Sequence, residues 1–182
     1  MPNLNGQEKN LELENSELIE EFAINLDLTK QQILRKQVLQ LLYLIDINKG
    51  KVEIQKKSFL NIFKSNGLSD EEEREAESLS IEIFSQKKEL DKMIQSFAEE
   101  YPVNQLSIVD KSLLRIAFWE VKKLRKSDNF SKLVEDFEKL GYLFGSDNSN
   151  KFIKGVLKSL IKNLDKIYYK TKWKKDNYGN NR

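Results

Sequence analysis

From Ser107 to Leu124 the apolar residues Val109, Leu113, Ile116, Ala117, Val121 and Leu124 return every three or four positions, and Ser107 stands in capping-box spacing with Asp110 at the front of the run. That interval belongs to an α-helix, since a strand alternates its faces every second residue. The device recurs along the chain. Thr29 with Gln32 precedes Leu34, Val38, Leu41, Leu42 and Ile45, a stripe that stops near Asn48-Lys49-Gly50. Ser69 with Glu72 opens a helix whose first turn, Asp70-Glu71-Glu72, carries negative charge where the helix dipole favours it. Leu90, Ile94 and Phe97 mark a helix over Lys88–Glu100, closed at Tyr101-Pro102 because the residue before proline avoids helical backbone. Phe130, Leu133, Val134, Phe137, Leu140 and Phe144 mark another, ending at Gly145. Phe152, Ile153, Val156, Leu157, Leu160, Ile161 and Leu164 mark a last one, from Ser149 to Tyr169, and a further helix is predicted from Val52 to Lys64.

Seven glycines and two prolines in 182 residues leave little turn chemistry for an all-β fold or a glycine-rich phosphate loop. No internal repeat is present. The expected fold is all-α, a compact orthogonal bundle of about seven helices. It occupies 28–169, between a weakly structured acidic extension at 1–27 and a basic disordered tail at 170–182. Gly155 lies inside the last apolar stripe, where glycine costs about 1 kcal/mol against alanine. Its presence predicts close approach of a neighbouring helix.

The absence of Cys and His removes thiolate nucleophiles, disulfides, thiolate metal sites, the commonest general base and the commonest metal ligand. No catalytic residues, metal or cofactor are expected, and the chain reads as a binding protein rather than an enzyme. No apolar run approaches the roughly 18 residues of a membrane span, and the first residues are acidic where a signal peptide is basic and then apolar. A cytoplasmic protein with no membrane partner is expected. The net charge of +2 is segregated: residues 1–28 carry −6, 29–67 +6, 68–100 −7, 101–148 +1 and 149–182 +8. Such blocks suit a basic surface for a polyanion and an acidic one for a basic partner, although solvated lysine-rich faces give the same pattern.

Two segments are more specific. QLSIVDKSLLRIAFWEV at 105–121 places Leu106, Val109, Asp110, Leu114, Arg115, Ala117 and Glu120, and LFGSDNSNKFIKGVLKSLIK at 143–162 places Phe144, Gly145, Ser149, Lys151, Phe152, Gly155, Val156 and Leu157, in patterns that resemble the NusB family of bacterial transcription antitermination proteins. Arg35, Gln40, Leu42 and Tyr43 resemble the family's first helix, and Glu89-Leu90-Asp91 with Ile94 a weaker motif, so the resemblance spans about 29–165. It implies an all-α domain that binds box A-type RNA together with the ribosomal protein NusE, within the transcription elongation complex, in antitermination and ribosomal-RNA processing. A NusB-like adaptor that keeps protein contacts and has weakened or lost specific RNA binding is the alternative. Some ribosomal-RNA cytosine methyltransferases carry a NusB-like domain ahead of a catalytic one, but this chain has neither the catalytic Cys nor a glycine-rich cofactor loop.

The candidate RNA-binding residues are Lys30, Arg35, Lys36, Gln40, Tyr43, Asn148, Lys151, Phe152 and Lys154. Lys30, Arg35 and Lys36 form a basic cluster suited to phosphates, the main sequence-independent source of affinity for nucleic acid. Tyr43 and Phe152 are the stacking candidates for splayed bases, and the resemblance favours Phe152, although an aromatic on a helical stripe equally suits a core. Gln40 and Asn148 suit either base edges or helix caps. Asp110 falls where the resemblance implies contact with NusE, and also where a carboxylate helps cap a helix. Arg115 is expected to be an ion-pair or carbonyl clamp within the bundle. The first helix is poorer in arginine than the family's, Glu135-Asp136 stands where an Asn-Glu pair is usual, and Lys154 replaces the usual Asn. Asn148 replaces a common acidic residue, removing a repulsive charge; Lys151, Lys154, Lys158, Lys162 and the lysines of 170–175 supply compensating charge.

Overall fold

A computed structural model describes residues 28–48, 68–98, 100–124 and 129–164. The predicted 52–64 helix, the 1–27 extension, residues 165–169 and the 170–182 tail lie outside the described residues. Six α-helices and no strand occupy the described chain: α1 Lys30–Ile47, α2 Asp70–Ser85, α3 Lys87–Gln95, α4 Ile108–Lys123, α5 Phe130–Phe144 and α6 Ser149–Lys162, with a 3-10 turn at Val103–Gln105. The all-α class expected from the periodicity is therefore the one adopted.

The helix starts follow the local chemistry. At Thr29 and at Ser69 both halves of the capping box form, satisfying two otherwise orphaned backbone donors at each end. Ser107 differs from the expectation. Its hydroxyl accepts from the Asp110 N–H, but no return bond from Asp110 closes the box. Aspartate is one methylene shorter than the glutamate that usually reaches back. Helix α3 also ends earlier than expected, at Gln95 rather than Glu100. The Gln95 carboxamide takes over from the helical ladder, accepting from the Val103 N–H at 2.9 Å and donating to the Ala98 carbonyl at 3.2 Å.

Helix α4 runs through the core, with Leu113, Leu114, Ile116, Ala117, Phe118, Trp119 and Val121 all buried. Around it, α1 packs on α2 and α4, α3 on α4, and α5 on α6. Two arginines tie this core to the outer helices. Arg115 Nε and Nη2 grip both carboxylate oxygens of Asp91 on α3, and Nη1 bonds Asp46 on α1 at 2.7 Å. The clamp expected of Arg115 is thus an ion-pair clamp across three helices.

Gly155 does not mediate the expected helix approach. Among the described residues a Cβ built on it meets nothing within 4 Å. The close crossing belongs to Gly141 on α5, where a Cβ would lie 2.8 Å from Ile153 Cδ1 and 3.2 Å from Asn150 Cα of α6. Both glycines interrupt apolar stripes, but only Gly141 lies where the two helices meet.

Candidate nucleic-acid interface

The expected cations of α1 separate by depth. Lys30, in the first turn, is exposed. Lys36 is half-buried, and that burial pulls its ammonium below the ordinary lysine range. Arg35 is a correction to the sequence reading. Its side chain is buried, with Nε and Nη2 forking onto Glu120 of α4 at 2.8 and 2.6 Å and Nη1 on Asp136 of α5 at 2.6 Å. The guanidinium also lies 4.9 Å from the Phe137 ring centroid. Burial alone would ease its deprotonation, but the bonds and charges of Glu120 and Asp136 outweigh it and raise its pKa. A guanidinium engaged on two carboxylates beneath the surface is not presented to phosphate.

Gln32 completes this cluster. Its Oε1 accepts the Thr29 N–H to close the capping box, and its Nε2 donates to Asp136 Oδ1, linking the start of α1 to α5. Desolvation would push the Asp136 carboxyl up, yet Lys132, Gln32 and Arg35 hold it below the ordinary aspartate range. A carboxylate whose pKa is depressed by folding stabilises the fold above its unfolded value and loses that contribution as pH falls through the folded one. Stability should therefore fall below a pH of about 4, and Asp136→Asn should flatten this acid limb in urea titrations run at successive pH values. An unchanged limb would remove Asp136 from the account.

Gln40 and Tyr43 follow Lys36 at i+4 and i+7, on one stripe of α1. Tyr43 is 39% exposed, whereas Gln40 is half-buried and its Oε1 is buried without a hydrogen-bond partner among the described residues.

A second group lies at the start of α6. Asn148 holds the left-handed conformation, φ 69°, that turns the chain into the helix, and its side chain makes no capping bond and is exposed. The first turn carries no acidic residue and its end presents a partial positive charge to an anion, part of which the exposed Asp147, just ahead of Asn148, offsets. Lys151 is exposed and Phe152 is half-buried, packed on the core from one side. Lys154 points elsewhere, bonded to Glu138 of α5 at 2.8 Å, which offsets its charge.

Phe152 meets an aromatic that the sequence reading missed. Tyr101, 54% exposed, stands edge-on to it with ring centroids 5.3 Å apart. Its place before Pro102 marked only the end of a helix. Asp110, expected at a protein interface, is buried at the start of α4, and its Oδ1 has no hydrogen-bond partner among the described residues. Among the described residues no group of three or more acidic side chains is placed to hold a metal ion, and no helix is long and apolar enough to cross a membrane.

The chain as a whole is similar to proteins of one family. The model of the NusB family matches residues 32–162. The transcription antitermination protein NusB of Listeria monocytogenes serotype 4a (strain HCC23) is 30% identical over 131 residues, covering 72% of this chain and 95% of that protein. NusB of Bacillus mycoides (strain KBAB4) is 30% identical over 133 residues, covering 72% and 96%. Among solved structures, T. maritima NusB superimposes with a TM-score of 0.62 at 21% identity, covering 74% of this chain and 92% of that one. A structure of the antitermination factors NusB and NusE in complex with dsRNA matches with a TM-score of 0.59 at 19% identity, covering 72% and 96%.

Proposed function

The chain belongs to the NusB family, and from that premise we propose that it is a transcription antitermination factor that binds box A-type RNA together with NusE. It acts in ribosomal-RNA transcription and processing as part of the elongation complex, and it carries out no catalytic step. The observation that carries the reading is the start of α6, where Asn148, Lys151 and Phe152 put a helix end, a cation and a half-buried aromatic side by side. These are the parts that hold a phosphate and stack an unpaired base. Lys30 and Tyr43, exposed on α1, are further proposed RNA contacts, and Asp110 is the proposed contact for NusE. A structural neighbour, the complex of NusB and NusE with dsRNA, supports the pairing of RNA with a protein partner.

The test is fluorescence-anisotropy titration of a box A-type RNA and a scrambled control, with and without NusE, across a salt series. Selective binding that NusE tightens is expected. Each lysine that meets a phosphate should contribute about 0.7 to the slope of log K against log salt, so Lys30→Ala and Lys151→Ala should each make it shallower by that amount. Equal or absent binding to both RNAs would sink the reading. A second reading, an adaptor with only protein contacts, is favoured by the internal engagement of Arg35 and the pairing of Lys154 with Glu138. Retention of NusE without RNA affinity would establish it.

A further inference from the structure

A groove of about 460 Å³ runs between the end of α3 with its following turn and the exposed side of α6. Tyr101 and Phe152 line it, meeting at 72° so that they form a corner rather than a closed stack. Gly155, one turn beyond Phe152 on α6, lies in the same groove and is exposed, and nothing among the described residues stands within 4 Å of where its Cβ would be. Lys151 and Glu100 also line it, and both are exposed.

Gly155 is the telling residue. A helical glycine is unfavourable relative to alanine, and the usual compensation, close packing of another element, is absent among the described residues at this position. What its missing side chain leaves is space beside an aromatic corner. A flat ring fits such space, with a phosphate beside Lys151 and an amino edge beside Glu100, since carboxylates accept from exocyclic base amines.

We propose that this groove seats a single unstacked RNA base, with Tyr101 as a stacking residue alongside Phe152 and Gly155 as the side-chain-free wall that admits it. The inference deepens the RNA-binding reading and rests on it. The groove is continuous with the proposed contact at the start of α6, because Lys151 and Phe152 belong to both. Tyr101 comes from a different part of the chain, so the base is held from two elements.

The experiment measures RNA affinity and thermal melting together on the full-length chain, using the box A-type RNA, for Gly155→Leu, Tyr101→Ala and Tyr101→Phe. Leucine is a better helix former than glycine and meets no clash at its Cβ. Gly155→Leu should therefore melt no lower than wild type while binding RNA about ten-fold more weakly, the size of a lost base stack. Tyr101→Ala should show a similar loss, and Tyr101→Phe should bind like wild type because the ring remains. Wild-type affinity in both Gly155→Leu and Tyr101→Ala overturns the proposal. So does loss of NusE binding with RNA affinity intact, which would make the groove a protein site. A wild-type chain that binds no RNA overturns the functional reading itself, and this inference with it.

Discussion

Arg35→Ala is expected to remove about 3 kcal/mol of folding stability, at the lower end of the 3–5 kcal/mol typical of breaking a buried ion pair. The loss comes from the carboxylates left behind more than from the bonds removed. Glu120 would lose both of its Arg35 bonds, and Asp136, almost fully buried, would lose one of its cations. The figure stays at the lower end because Asp136 keeps Lys132 at 2.9 Å and the Gln32 amide. The Phe137 ring would also lose the cation beside it. Arg35→Lys should recover only part of the loss, since an ammonium cannot fork onto Glu120 while reaching Asp136. Urea denaturation measures both variants. The discriminating result is RNA affinity per folded molecule, expected to match wild type. A fully stable Arg35→Ala variant with weakened RNA binding would return Arg35 to the surface and sink the buried-clamp account.

Why Arg35 misleads in a sequence and Arg115 does not is a matter of neighbours. Arg115 sits in the run Leu113, Leu114, Ile116, Ala117 and Phe118, all of them buried, and the one charge within such a run has to be paired. Arg35 adjoins Lys36 and follows Lys30, so a basic surface is the natural reading. Its partners stand 85 and 101 residues away and only the packed bundle brings them close. The caps show the opposite case. Thr29 with Gln32 and Ser69 with Glu72 are pairs three residues apart, decided locally and therefore legible. At the candidate interface, Asn148, Lys151 and Phe152 were legible because they share one short segment at the start of α6. Tyr101 was not, because its contact with Phe152 depends on how the turn after α3 folds against that helix.

The two interior glycines test the same distinction between pattern and packing, and Gly141→Leu is expected to cost about 3 kcal/mol or more, the upper range for overpacking a filled core. At Gly141 the first added carbon already meets Ile153 Cδ1 at 2.8 Å, with the Asn150 Cα and backbone N at 3.2 and 3.3 Å. A methyl can be admitted if the Ile153 tip turns aside, and the gain in helix propensity of about 1 kcal/mol offsets much of that, so Gly141→Ala should stay within about 1 kcal/mol of wild type. Leucine adds three more carbons toward α6, whose backbone cannot turn aside. The helices must then separate just beyond the Asn148 turn, and the resulting shift of Lys151 and Phe152 should weaken RNA binding as well as stability. Gly155→Leu, by contrast, should melt no lower than wild type, because its surroundings are open. Equal destabilisation by leucine at the two positions would mean that both glycines are packing sites and that the α5–α6 crossing is not centred on Gly141.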